Sequence, residues 1–332
     1  MTALRAPAHR RTTAPALPVN TDNAVGKAPR WHKVAPIALE TNTSRTMALA
    51  AIATACRDHW LNNLDAAIAG SHPEGVHQVR VGFRRFRVVL TLYRDQLPAE
   101  QYAWLNMEAK AFCDGLGPVR DLDVFVTDLM TPFIEAAAKE PDMTVLLTAA
   151  RRAQGDAHAD AAALLQSPRY HRFMVRLNAW LTGKGWRLDK TRKDRCTAED
   201  FAKRVFNQRF EKIVRRCTSI TGLPPAKLHR LRIATKKLRY GMEFFRAVLP
   251  KRRAMRLARL LKSLQDALGH MNDLDVAKRT VAMLEVNASD AQTRIAIRRA
   301  GKRLAARFDA KANAALPKAV LAAARLDSQK AF

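Results

Sequence analysis

Residues His77 to Arg94 read His-Gln-Val-Arg-Val-Gly-Phe-Arg-Arg-Phe-Arg-Val-Val-Leu-Thr-Leu-Tyr-Arg. At about 100° per residue, His77, Arg80, Arg84, Arg87, Thr91 and Arg94 fall on one narrow stripe of an α-helix, each about one turn above the last. Val79, Phe83, Phe86, Leu90 and Tyr93 follow the same spacing on an adjoining face. Val81, Val88 and Leu92 form a second apolar strip on the other flank. A solvated basic face has a single apolar side opposite it. A basic stripe between two apolar strips predicts a mostly buried helix whose cations line a cleft.

The stretch occurs twice. His229 to Arg246 reads His-Arg-Leu-Arg-Ile-Ala-Thr-Lys-Lys-Leu-Arg-Tyr-Gly-Met-Glu-Phe-Phe-Arg, at an offset of 229 − 77 = 152. His77 then corresponds to His229, Arg80 to Arg232, Arg84 to Lys236, Arg85 to Lys237, Arg87 to Arg239 and Arg94 to Arg246. The offset holds without a gap through Leu97-Pro98 and Leu249-Pro250, and through Lys110 and Lys262. It also aligns Asp114-Gly-Leu-Gly-Pro-Val-Arg-Asp-Leu-Asp-Val124 with Asp266-Ala-Leu-Gly-His-Met-Asn-Asp-Leu-Asp-Val276. A unit this long is too large for a solenoid repeat. It predicts a duplicated half-domain, with two halves packed about a pseudo-two-fold axis.

Three motifs, in order, resemble the CHAD family, whose name stands for conserved histidine α-helical domain. They are His-x-x-Arg-Val-x-x-Arg-Arg-x-Arg from His77, Leu-Gly-Pro-Val-Arg-Asp-Leu-Asp-Val from Leu116, and His-x-Leu-Arg-Ile-x-x-Lys-Lys-Leu-Arg-Tyr-x-x-Glu-Phe from His229. The resemblance covers about residues 40 to 326. It implies an all-α fold of two pseudo-symmetric antiparallel helical bundles around a basic central cavity, and inorganic polyphosphate as the ligand. The family motif also keeps Arg85 and Lys237 basic, although both lie off the main stripe.

Composition agrees with a polyanionic partner. The 332 residues carry 58 Lys and Arg against 30 Asp and Glu, a formal net charge of +28. Nucleic acid, an anionic membrane or polyphosphate would each answer that charge. Aromatic residues are only 7%, too few for a base-stacking platform. Nucleic acid is therefore expected to bind only non-specifically. Acids such as Asp114, Asp121, Glu243 and Asp266 can neutralise part of each stripe, but they are too few to neutralise all of it. Four scattered cysteines show no C-x-x-C pairing, which points away from zinc and toward free thiols in a reducing compartment. No apolar run approaches the ~18 residues of a membrane span. The expected location is the cytoplasm, at polyphosphate granules.

Residues 1–39, rich in Pro, Ala, Thr and Arg, read as a disordered basic tail. Residues 40–181 form the first half, 182–197 a linker and 198–332 the second half. Gly117 and Gly269 read as helix stops. Three helical stretches are expected after Gly269. Asp121 and Asp123, like Asp273 and Asp275, sit two apart and cannot share a helix face. They read as caps, or as clamps on arginines, rather than metal ligands.

Arg supplies a planar fork that grips two phosphate oxygens, and Lys a mobile point charge. The expected polyphosphate contacts are His77, Arg80, Arg84, Arg87, Arg94 and Lys110 in one half. Their counterparts are His229, Arg232, Lys236, Arg239, Arg246 and Lys262, with Arg85 and Lys237 in a second tier. A helix-start histidine can be structural, making one local hydrogen bond; the alignment of both histidines with the arginines favours the cavity instead, where a bound polyanion could protonate them. No P-loop, G-x-S-x-G, H-E-x-x-H or acidic metal cluster is present, and no Glu-x-Glu. A non-enzymatic binder without a cofactor is expected, with free Mg²⁺ able to accompany the polymer. Nucleic-acid binding and polyphosphate metabolism are the alternatives.

Overall fold

The computed structural model describes residues 29–133, 140–186, 196–218, 220–330 and 332. Most of the linker read from the sequence, and the tail before residue 29, lie outside these residues. Among them the regular structure is helical, apart from an isolated antiparallel bridge between Ser44 and Thr197.

The first half contributes α1 (Arg45–Leu61), α2 (Leu64–Ala69), α3 (Pro73–Leu92), α4 (Ala99–Gly115), α5 (Gly117–Asp123), α6 (Pro141–Leu165) and α7 (Pro168–Thr182). The second contributes α8 (Ala198–Cys217), α9 (Pro225–Phe244), α10 (Lys251–Ala267), α11 (Gly269–Val286) and α12 (Ala291–Asp327). The starts are written locally. Ser44, Thr197 and Asp290 cap α1, α8 and α12 by accepting a backbone N–H with the side chain. Proline opens α3, α6, α7 and α9, where a missing N–H costs nothing. The sequence offset carries the bounds of α3 onto α9 and those of α4 onto α10.

Three expectations change. Gly117 and Gly269 do not stop helices; each is the first residue of the next one, and Leu116 and Leu268 make the turn. The chain after Gly269 forms two helices rather than three, because α12 runs 37 residues through an internal Pro317. Residues 29–39, expected in the tail, lie along the fold. His32 and the buried Asn63 exchange two hydrogen bonds at 2.7 and 3.1 Å, and Leu39 is buried.

Two apolar cores form, and both draw on both halves. The larger joins α1, α3, α4 and α7 to α8, α9, α10 and the end of α12. Its centre is aromatic: Trp60 stacks on Phe83 at 4.5 Å, and Phe83, Phe112 and Phe173 continue the packing. Here α1 and α3 approach so closely that a Cβ at Gly82 would sit 2.8 Å from Trp60 Cβ. The second core joins Phe125, Leu129, Leu146 and Ala150 to Val276, Ile297, Leu304 and Phe308.

The halves are also tied at their starts. Arg45 N–H donates to Cys196 O at 3.2 Å, and Ala198 N–H to Thr43 O at 2.8 Å. Cys56, Cys113 and Cys217 are buried free thiols, and burial pushes the Cys56 thiol up to about 12. Among the described residues no helix is long and apolar enough to cross a membrane.

Candidate anion-binding site

Helices α3 and α9 pack against each other, and their basic stripes meet there. His77 is half-buried, and its pKa falls to about 3. Burial is the main cause, followed by the positive charges of Arg120, Arg84, Lys236 and Arg80. Lys236 falls to about 7, first by burial and then by Arg84, Arg232, Arg239 and Arg80. These mutual effects place cations from α3, α5 and α9 around one point. Arg84 stands among them, close enough to disfavour charge on His77, Arg80, Arg232 and Lys236.

On the α3 side of the cluster several nitrogens lack a partner. His77 Nδ1, Arg80 Nε and Nη1, and Arg84 Nε are buried and find no hydrogen-bond partner among the described residues. Asp121 lies near Arg80, and Asp273, its counterpart at the sequence offset, near Arg232. Each offsets part of that arginine's charge, without gripping it in the case of Asp121, whose carboxylate accepts from Arg279 Nη2 at 3.3 Å. The cap reading fails for Asp123, which is fully buried and bound through Oδ1 to Gln154 at 2.8 Å and His158 at 2.9 Å. Among the described residues no group of His, Cys, Asp and Glu is placed to hold a metal ion.

The remaining predicted contacts divide. Arg87 donates from Nε to Asn106 Oδ1 at 3.2 Å. Lys237 stands near Arg87 and Arg209, its pKa lowered first by burial and then by those two charges. Arg239 donates to Gln265 Oε1 at 3.1 Å and to Glu243 Oε1 at 2.8 Å. Arg85 is buried over the Phe244 ring, 4.6 Å from its centre, and bonded to Glu243 at 2.6 Å, so it ties α3 to α9. Arg94 is exposed over Tyr102, and the exposed lysines Lys110 and Lys262 pair with Asp114 and Asp266. His229 is exposed, unlike His77, so the two histidines do not share a role.

Beside the cluster, α9, α10 and the strap Val34–Ile37 enclose a groove of about 1020 Å³. Its floor includes Met242, Ala254 and Ala258, and its cations include Arg85, Arg239, Arg246, Lys251, Arg259 and Lys262. Sequence reasoning gave no role to Arg120, Arg209, Lys251 or Arg259. A signal existed for Arg209, because the offset that pairs the stripes also pairs Arg57 with Arg209. Arg120 was visible within the Gly-Pro-Val-Arg-Asp motif.

The geometry is that of an all-helical protein gathering cations on two facing helices, with buried nitrogens of His77, Arg80 and Arg84 on one of them left without a partner among the described residues. The CHAD domain family model matches residues 51–282, and the chain belongs to that family. Its structure is similar to the crystal structure of the CHAD domain from the plant Ricinus communis. That likeness has a TM-score of 0.78 and 28% identity over 91% of this chain and 98% of the other. PptA from Streptomyces chartreusis shares the fold at a TM-score of 0.63 and 15% identity, over 84% of this chain and 99% of that one. No curated protein sequence matches the chain.

Proposed function

We propose that this chain binds inorganic polyphosphate, without chemistry on it, in the cationic cluster between α3 and α9. The observation that carries the reading is the set of buried nitrogens on Arg80 and Arg84 that lack an acceptor, with His77 Nδ1 unpartnered beside them. A buried donor left unpaired costs about 1–3 kcal/mol, and the neighbouring cations repel one another. A chain of phosphate oxygens offers acceptors and negative charge together, and needs no pocket for bases. Membership of the CHAD family adds to this, since polyphosphate is the ligand the family resemblance implies.

The same reading makes the chain a duplicated half-domain with two helical bundles about a pseudo-two-fold axis, and the cluster a cavity on that axis. The recurring helix bounds, the paired starts at Ser44 and Thr197, and the repeated Asp–Arg relation of Asp121 with Arg80 and Asp273 with Arg232 support it. Its place would be the cytoplasm, on polyphosphate granules.

The test is titration of the purified protein with long-chain polyphosphate, competed by DNA and RNA of matched charge. Polyphosphate should win, and no phosphate should be released with Mg²⁺ present. Equal competition by nucleic acid would replace the reading with a general polyanion binder. Release of phosphate would replace it with an enzyme.

A further inference from the structure

The counterpart helices α4 and α10 occupy corresponding positions in the sequence and have the same length, yet their charges differ. Helix α10 carries six Lys or Arg among 17 residues and one Asp. Helix α4 carries one Lys against three acids, Glu100, Glu108 and Asp114. The fold therefore does not require a basic helix at this position.

The placement of the charge is also unfavourable for a helix. Lys251, Arg252 and Arg253 fill the first turn of α10, which has no acid, while α4 has Glu100 in its first turn. A helix N-terminus is the positive end of the peptide dipole, so cations there destabilise the helix. Local rules broken in this way concentrate at functional sites. Arg252, Arg253, Arg256 and Arg259 are all exposed, and none has an ion-pair partner among the described residues.

The basic end is joined to the cluster. Arg239 is among the charges acting on Lys236, and it also lines the groove that reaches Arg246 and Lys251. The acid on that route, Glu243, is already held by Arg85 and Arg239.

We infer that the N-terminal end and outer face of α10 are a second contact surface for the same polyanion. A long phosphate chain held in the cluster leaves it past Arg239 and lies over α10, with no matching path over α4. This rests on the polyphosphate reading and adds a direction to it. The surface would engage only chains long enough to overhang the cluster.

The experiment uses the full chain with Arg252→Gln and Arg253→Gln together, titrated with tripolyphosphate and with long-chain polyphosphate. Exposed Arg151→Gln with Arg152→Gln on α6 removes the same charge elsewhere. The α10 variant should melt at a higher temperature than the parent and bind tripolyphosphate equally well. Its long-chain affinity should fall, and the slope of log affinity on log salt should shrink by about 1.4, taking ~0.7 per lost phosphate contact as for a single-stranded polyanion. The α6 variant should keep the parent slope. Equal slopes in both variants would overturn the inference and leave the cluster reading standing. An equal loss for tripolyphosphate would also overturn it, since the surface would then belong to the primary site. A parent protein that binds neither phosphate would instead defeat the cluster reading itself.

Discussion

Arg85 of α3 donates from Nη1 to Glu243 Oε2 of α9 at 2.6 Å, and the other oxygen of that carboxylate accepts from Arg239 Nη1 at 2.8 Å. The Arg85 side chain is 4% exposed and Glu243 38%. One half-exposed acid thus balances a buried cation and orients a second at the mouth of the groove.

Glu243→Gln should destabilise the fold by about 1–3 kcal/mol, because it leaves Arg85 buried with its charge unanswered. Arg85→Met should cost less. Its side chain keeps the packing on Phe244, and Glu243 keeps Arg239 and water. Urea unfolding of both variants checks the order, and a larger loss for Arg85→Met would contradict it.

Lys236 sets a pH dependence. Its folded pKa, about 7, lies below the ordinary lysine value of 10.5, so the unfolded chain binds more protons between the two. Stability should therefore rise with pH across that window, by at most about 1.4 kcal/mol per unit. Lys236→Met should stabilise the protein most below pH ~7 and flatten the rise. A bound phosphate restores the proton, so binding near pH 8 should take up protons and weaken as pH climbs. Calorimetry in buffers of different ionisation heat would measure the uptake, which Lys236→Met should remove. His77, lowered to about 3, adds a separate rise between there and its ordinary value of 6.5.

Gly117 and Gly269 offer a matched pair. A Cβ at Gly117 would lie 3.0 Å from Arg80 Nη1, whereas a Cβ at Gly269 meets nothing within 4 Å. Gly117→Ala should push the Arg80 guanidinium aside and weaken polyphosphate binding by up to about tenfold, or ~1.4 kcal/mol. Gly269→Ala should leave affinity unchanged and stabilise slightly, since alanine is the better helix former. Equal affinities in the two variants would remove Arg80 from the site.

The all-helical class was legible because basic and apolar residues recur at helical spacing in both halves, while the helix starts rest on caps and prolines that act over a few residues. Ser44 and Pro73, Pro141 and Pro168 mark starts that local chemistry alone fixes. The errors came where a distant partner decides. Asp123 looks like a cap from its neighbours, but Gln154 and His158, a helix away, bury and bind it. The repeat made His77 and His229 equivalent, yet His77 is half-buried among cations of α5 and α9 while His229 is exposed. Lys251 and Arg259 lie on α10, off the basic stripe of α9, and the groove they line exists only once α10 packs beside α9. Residues 29–39 lack periodicity, so composition hid a strap held by Asn63 and the core.

That strap gives a test by truncation. Removing residues 1–28 should leave stability unchanged. Removing residues 1–39 should cost about 1–3 kcal/mol for the buried Asn63 left without His32, and about 1.5–3 kcal/mol more for Leu39. Chemical denaturation of the two shortened chains checks this, and identical midpoints would show that the strap contributes nothing.

The second core has a consequence for the order in which the chain can become a protein. Phe125, Leu146 and Ala150 are synthesised well before Val276, Ile297 and Phe308, and each set is the other's cover. While the ribosome is still reading the middle of the message, the earlier set can pack on itself but lacks its later cover. Its apolar side stays open to water and to neighbouring chains until the final helix has emerged. A fragment ending near residue 181 would keep that open side permanently and would be prone to clump. The gene segment behind one repeat therefore does not encode a module that can be moved on its own, although the repeat reads as one in sequence.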